Sequence, residues 1–81
     1  MIMRILFFAQ LKDGAGCSSF ELPAPAPMNA EQLWVALLKQ FPALADHRPA
    51  VRLAKNSEYV GPEAMFADGD EVALIPPVSG G

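Results

Sequence analysis

The sequence predicts an α+β fold, in which a mixed sheet of four to five strands is covered on one face by one main helix. Three observations favour this class. A length of 81 residues leaves room for one small domain. Short apolar segments of strand length lie near both ends of the chain. Between them, the segment AEQLWVALLKQF has the apolar spacing of an amphipathic helix.

The composition excludes several other classes. Apolar residues make up 52% of the chain and charged residues 19%, which is typical of a compact soluble protein. The net charge is −3 and the six Lys and Arg residues are scattered, so we expect no nucleic-acid partner. The apolar segments are much shorter than the roughly 20 residues that cross a bilayer. The opening MIMRILFFAQ lacks a small-residue cleavage site and indicates a strand rather than a signal peptide.

The first strand is predicted in MRILFFAQ. With a period of two, one face is wholly apolar and carries Met3, Ile5 and Phe7. The opposite face begins with a basic residue and ends with an amide, which indicates the outer side of the sheet. This assignment leaves Leu6 and Phe8 partly exposed.

A β-hairpin is predicted to follow. LKDGAG is typical of a turn in which Asp13-Gly14 and Gly16 adopt positive φ. In SSFEL, alternation points Phe20 and Leu22 inward. The proline-rich stretch at residues 23–27 then forms a stiff, extended connector.

The main helix has a clear start signal. Asn29 is a good N-cap, and Gln32 completes a capping box. Met28 and Leu33 occupy the staple positions, and Pro42 ends the helix. The predicted core side of the helix consists of Leu33, Trp34, Leu37, Leu38 and Phe41. A short helical turn is predicted at residues 43–46.

The remaining segments predict two strands and a short extended piece. VRLAK is a strand with Val51 and Leu53 on one face, followed by a turn at Asn56-Ser57 and an extended segment at residues 58–60. In the loop PEAMFADGD, Met65 and Phe66 are predicted to fill the core.

The last strand is predicted in EVALIP, after a tight turn in which Gly69 adopts positive φ. Val72 and Leu74 face one side, and Glu71, Ala73 and Ile75 face the other. A hairpin, a helix that crosses over between strands, and further strands indicate a β-grasp, or ubiquitin-like, architecture with parallel pairing and one open sheet face. We expect residues 1–75 to form this domain and residues 76–81 to form a flexible tail.

The sequence ends in IPPVSGG. Pro76 and Pro77 hold the departing chain extended, and residues 76–81 can reach at most about 20 Å. Glycines lack Cβ, so Gly80 and Gly81 can enter a channel too narrow for other residues. A terminal carboxylate at Gly81 is an acyl group that ATP can activate as an adenylate, which a sulfur or nitrogen nucleophile then attacks.

These motifs resemble a known family. DGDEVALIPPVSGG, the opening ILFFAQLKDGAG and the AKN segment are similar to the small subunits of molybdopterin synthase, sulfur carriers of the ThiS/MoaD ubiquitin-like family. The resemblance covers nearly the whole chain. Related Gly-Gly carriers for thiamin synthesis or tRNA thiolation share the fold but generally lack the PPV element.

The resemblance implies a reaction cycle for molybdenum cofactor biosynthesis. A ubiquitin-activating-like adenylyltransferase would use ATP to adenylate Gly81, and a sulfurtransferase would convert the adenylate to a thiocarboxylate. The chain would then dock on the large synthase subunit, in a heterotetramer of two small and two large subunits, and donate sulfur to cyclic pyranopterin monophosphate. It would bind no cofactor or metal, would not be an enzyme alone, and would be cytoplasmic.

The resemblance also assigns site residues. Gly81 would be the activated residue, and the tail that threads the partner's active site would comprise Pro76, Pro77, Val78, Ser79 and Gly80. The family's apolar docking surface corresponds to Phe8, Tyr59 and Ile75. The family often has aromatic residues where this chain has Leu74 and Ile75, so we expect a more aliphatic contact.

Other reactive residues have simpler interpretations. Cys17 has no CxxC pattern and no nearby His, so an inert, partly buried thiol is expected; a single cysteine also excludes an internal disulfide. His47 is interpreted as a solvated loop residue. The acidic residues of DGDE are explained by a turn, because the other ligands of a calcium loop are missing.

The sequence also fits two alternative functions. A ubiquitin-like modifier would use the same adenylate to form an isopeptide bond between Gly81 and a target lysine. A plain interaction module would have an inert tail. Thiocarboxylate formation and the effect of removing Gly81 distinguish these functions from a sulfur carrier.

Overall fold

The computed structural model of the protein describes residues 2–23 and 27–77. Its strands are β1 (Ile2–Phe7), β2 (Ser19–Pro23), β3 (Met28–Asn29), β4 (Arg52–Lys55), β5 (Glu58–Tyr59), β6 (Met65–Phe66) and β7 (Glu71–Ile75). Its α-helices are α1 (Gln10–Ala15) and α2 (Ala30–Gln40). Short 3-10 helices occupy Pro42–Asp46 and Arg48–Ala50.

The main sheet has five strands in the order β2-β1-β7-β4-β5. β1 and β7 are parallel, and the other neighbouring pairs are antiparallel. The mixed sheet and its single main helix confirm the predicted β-grasp class. The parallel pair joins the first and last strands of the chain, which lie side by side inside the sheet. A separate two-stranded ladder of β3 and β6 was not predicted, because it depends on pairing between segments far apart in sequence.

The core lies between the inner sheet face and α2. Met3 and Ile5 are fully buried, as the alternation in the first strand predicts, and Leu33 and Leu37 of α2 are equally inaccessible. Phe41 follows α2 and makes edge-to-face ring contacts with Phe7 and Phe20, at centroid distances of 5.2 and 5.0 Å. Such ring pairs add to the free energy gained by burial.

Both halves of the predicted capping box are present at the start of α2. The Asn29 side-chain oxygen accepts a hydrogen bond from the Gln32 N–H at 2.8 Å, and the Gln32 side-chain oxygen accepts one from the Asn29 N–H at 3.0 Å. Two backbone donors that the helix cannot satisfy internally are thereby paired.

We expect Asn29→Ala to lower the free energy of unfolding by about 1 kcal/mol, because the first turn of α2 loses its side-chain acceptor. Urea denaturation of the two proteins measures the difference. Asn29→Ser retains an acceptor at this position and should recover most of the loss. An alanine variant as stable as the wild type would contradict this role of the cap.

The predicted turn at LKDGAG is wrong, because most of this segment forms α1. Leu11 is fully buried and anchors the helix in the core. Gly14 lies within the helix, where an added Cβ would come within 3.3 Å of Leu44 Cδ2. Only Gly16 adopts positive φ, at 78°, and it caps the helix end. Gly14 therefore packs closely on Leu44, which is distant in sequence. This contact explains why the segment forms a helix although its residues locally favour a turn.

The prediction that Met65 fills the core is also wrong. Phe66 is fully buried, whereas Met65 is 51% exposed. The two residues form β6, and neighbouring side chains of a strand point to opposite sides. Pairing with β3 therefore allows only one of them to enter the core.

The two turns predicted in the second half are present. Asn56 and Ser57 both have positive φ, 50° and 76°, and form the two-residue loop between β4 and β5. Positive φ at both positions suits the twist of a tight hairpin. Gly69 has a φ of 85° in the turn before β7. These turns position β5 and β7, two strands that carry residues of the candidate site.

Candidate functional site

The outer face of the main sheet is apolar at its centre. Strand pairing places Leu6 of β1 beside Ala73 of β7, and Ala73 beside Ala54 of β4. The small side chains of Ala54 and Ala73 leave a shallow depression. The structure places no helix on this face within the described residues; the buried side of α2 packs against the opposite face.

The three residues predicted for the partner interface lie around this depression. Phe8, Tyr59 and Ile75 line one cavity of about 320 Å³, together with the floor of Leu6, Ala54 and Ala73 and the polar Ser57 and Glu71. Phe8 is 47% exposed and Tyr59 61% exposed. Exposed apolar side chains that cluster on one face are typical of an interaction surface. We name Phe8, Tyr59, Ile75, Leu6, Ala54 and Ala73 the sheet-face patch; its role in docking stays a prediction.

A basic residue lies at the border of the sheet-face patch. Arg52 pairs with Ile75 across the β4–β7 ladder, and its guanidinium carbon lies 5.0 Å from the centre of the Tyr59 ring. A cation over an aromatic face is attracted by the negative potential of the ring. The contact therefore holds a positive charge beside the end of β7.

A polar network fixes the hairpin that carries Tyr59. The Asp70 carboxylate accepts hydrogen bonds from the Ala67 N–H at 2.7 Å and the Asn56 amide at 3.1 Å. Asn56 in turn accepts the Glu71 N–H at 3.0 Å. The Ala67 hydrogen bond is the main cause that lowers the pKa of Asp70 from 3.8; the Asn56 amide and the Lys55 charge act in the same direction, and burial opposes them.

We expect Asp70→Ala to lower the free energy of unfolding at neutral pH by about 1 to 2 kcal/mol, because two donors lose their acceptor. A lowered folded-state pKa means that this stabilisation is present above the ordinary pKa and is lost as pH falls through the folded-state value. The difference between variant and wild type should therefore shrink below about pH 4 in denaturant titrations.

The control for this measurement is Asp46→Ala, an exposed carboxylate that makes no side-chain hydrogen bond within the described part of the chain. It should change stability little at any pH. A deficit for Asp70→Ala that stays constant between neutral and acidic pH would contradict the role of the carboxylate charge.

The predicted tail begins at the centre of the main sheet. β7 is the middle strand of five and ends at Ile75, next to the sheet-face patch. Pro76 is half-buried and Pro77 is exposed. The other predicted tail residues, Val78, Ser79, Gly80 and Gly81, lie outside the described residues.

The sequence predicts no functional role for Cys17, His47 or Trp34, and the structure places them as follows. Cys17 is a partly buried free thiol, and His47 is half-buried between the two 3-10 helices. Trp34 is 5% exposed and belongs to the core. Among residues 2–23 and 27–77, no three His, Cys, Asp or Glu side chains gather in a way that could hold a metal ion. In the same ranges, no helix has the length and apolar character to cross a membrane.

Sequence reasoning missed two parts of this site. The alternation of residues already placed Leu6 and Ala73 on outward faces. It did not show that they form the floor of the sheet-face patch together with Ala54. Arg52 was not singled out, although it lies between the inward residues Val51 and Leu53 and must point outward. Its contact with Tyr59 depends on the β4–β5 pairing, which the sequence does not specify.

The ThiS family profile matches residues 5–81. A molybdopterin synthase sulfur carrier subunit from Chlamydomonas reinhardtii is 40% identical, and the match covers 100% of both chains. Among solved structures, SAMP1 from Haloferax volcanii is similar with a TM-score of 0.86 and 28% identity, with full coverage of both chains. A protein–protein complex of subunits 1 and 2 of the molybdopterin-converting factor from Helicobacter pylori contains a chain with a TM-score of 0.72 and 26% identity, again with full coverage of both chains.

Proposed function

Because the chain belongs to the ThiS family, we propose that it is the sulfur-carrier subunit of a molybdopterin synthase. The observation that carries the proposal is the place where the tail begins. The central strand of the sheet ends beside an exposed apolar patch and leads directly into Pro76-Pro77 and the Gly-Gly end. A partner that covers the patch would therefore lie next to the point where the tail begins.

The proposed cycle begins with activation of Gly81. A ubiquitin-activating-like enzyme transfers AMP from ATP to the Gly81 carboxylate and releases pyrophosphate. Hydrosulfide released by a sulfurtransferase system attacks the acyl carbon, the bond from that carbon to the AMP oxygen breaks, and loss of the S–H proton leaves a thiocarboxylate. Activation is needed because a free carboxylate is a poor electrophile, whereas AMP is a good leaving group.

The second half of the cycle takes place on the large synthase subunit. The sheet-face patch docks, and the tail carries the thiocarboxylate into that subunit's active site. Each thiocarboxylate sulfur forms a bond to cyclic pyranopterin monophosphate, and water then cleaves the bond between that sulfur and the Gly81 acyl carbon, which regenerates the carboxylate. Two such transfers supply the two sulfurs of the dithiolene. The chain is then a protein cosubstrate in a heterotetramer of two small and two large subunits, and the catalytic groups belong to the large subunit.

Glycine at the last two positions fits this chemistry. The nucleophile and the phosphate must approach the same acyl carbon, and a Cβ at Gly81 would crowd that approach. Gly80 leaves the preceding backbone equally narrow. The prolines reduce the conformational freedom of the arm and so lower the entropy lost when it enters the pocket.

The test of this function is intact-mass analysis after incubation with the activating enzyme, ATP and a sulfur source. A sulfur carrier gains the mass difference of one oxygen replaced by one sulfur, located in the C-terminal peptide. A Gly81-deleted chain is the matched control and should gain nothing. Absence of the sulfur product in the full chain would contradict the proposal.

A second candidate function is protein modification through Gly81. The fold similarity to SAMP1, which is a small archaeal modifier protein, favours it. The same incubation separates the two functions when a lysate is added. A modifier gives lysine-linked adducts of high mass, whereas a dedicated carrier gives only the thiocarboxylate.

A further inference from the structure

A second concave surface lies between the start of α2 and the segments that flank β4 and β5. This groove has a volume of about 610 Å³. Its floor is mainly apolar and includes Trp34, Val51, Leu53, Val60 and Pro62. An open apolar cleft with a few polar groups at its border is typical of a binding site.

The described charged side chains that line the groove are two arginines and one glutamate. Arg48 and Arg52 line it, and Glu31 is the one acidic residue among its described lining residues. Two cations against one carboxylate give a local excess of positive charge, on a chain whose net charge is −3. Acidic partner groups are therefore favoured here over basic ones.

Both guanidinium groups are held in place by neighbours. Arg48 pairs with Glu31 and lies 5.6 Å from the centre of the Trp34 ring. The Arg48 side chain is one-third exposed, so one side of it stays open to a partner. Arg52 lies against Tyr59. Held guanidinium groups lose little freedom when they bind a carboxylate, which they can engage through two parallel hydrogen bonds.

The groove is continuous with the sheet-face patch. Arg52 lines the groove and contacts Tyr59, and Tyr59 lines the cavity of the patch. The two surfaces meet at the β4–β5 hairpin, so one partner can cover both. A partner that seats the tail and binds the patch would thus have the groove at its edge.

We propose that the groove receives an acidic segment of the large subunit whose active site takes the tail. This inference rests on the function proposed above. Carboxylates of the segment pair with Arg48 and Arg52, and its apolar side chains lie on the floor near Trp34. The patch then supplies apolar contact area, and the groove supplies charge specificity for the correct partner.

The test compares two double variants in binding to the purified large subunit. Arg48→Gln/Arg52→Gln removes the two groove cations. Lys12→Gln/Lys39→Gln removes two cations that line neither surface and is the matched control. We expect the groove variant to raise Kd about 10-fold and to weaken the salt dependence of association, with little change in the control. Thermal unfolding of each variant verifies the fold.

Photo-crosslinking identifies the occupant. With p-benzoylphenylalanine at position 62, which lines the groove, we expect crosslinks to a large-subunit peptide rich in Asp and Glu. Unchanged affinity and salt dependence in the groove variant, or crosslinks to a segment without acidic residues, would overturn the inference while leaving the function intact. A wild-type chain that does not bind the large subunit would overturn the proposed function as well.

Discussion

A chain with one alanine added after Gly81 is expected to fold like the wild type and to lose sulfur transfer completely. The added residue moves the carboxylate away from the position of the Gly81 carboxylate and places a Cβ on the Cα next to the acyl carbon that must be attacked. A shift of the carboxylate by the length of one residue is enough to remove it from productive geometry. Deletion of Gly81 should have the same effect, because the arm then ends one residue short.

The measurement is conversion of the pterin precursor by the large subunit with each chain, alongside thermal unfolding. Met3, Leu37 and Leu74 are fully buried in the core and are not part of the tail, so the melting temperature should not change. Ser79→Ala keeps the length of the arm and is the control that should retain activity. Full conversion of the pterin precursor with the extended chain would contradict a role of the Gly81 carboxylate in sulfur transfer.

Phe8→Glu should weaken binding to the large subunit by at least about 100-fold, which corresponds to the loss of an interface hot spot. The phenyl ring is 47% exposed at the border of the sheet-face patch, so its removal costs the free protein little. In the complex, the carboxylate would be buried against the apolar side chains of the patch, such as Ile75, and burial of a charge is unfavourable.

The matched control for this variant is Val35→Glu on α2. Val35 is also 47% exposed and does not line the patch or the groove, so it tests whether any new surface carboxylate weakens binding. Titration calorimetry with the large subunit gives both dissociation constants. Similar affinities for Phe8→Glu and Val35→Glu would contradict the assignment of the docking surface.

The parts of the fold with strong local signals could be predicted from the sequence. The alternation that buries Met3, Ile5 and Phe7 is a direct consequence of strand geometry. The capping box at Asn29 and Gln32 needs only residues three apart. The same alternation placed Phe8 and Ile75 outward, although the claim that they act together in docking came from the family resemblance.

The parts that failed depend on contacts between distant residues. Helix α1 forms because Leu11 is buried and Gly14 lets Leu44 pack closely, and neither contact is visible in the local sequence. Met65 was placed in the core because it is apolar, but pairing of β6 with β3 exposes it. The position of Arg52 against Tyr59 likewise requires the register of two strands.

The most direct test of the sulfur-carrier function follows one turnover of sulfur. The chain with a thiocarboxylate at Gly81 is mixed with the large subunit and cyclic pyranopterin monophosphate, and the intact mass of the chain is followed together with the sulfur content of the pterin. We expect the carboxylate form of the chain to return in step with the sulfur that enters the pterin. Sulfur incorporation while the thiocarboxylate on Gly81 persists would contradict the proposed function.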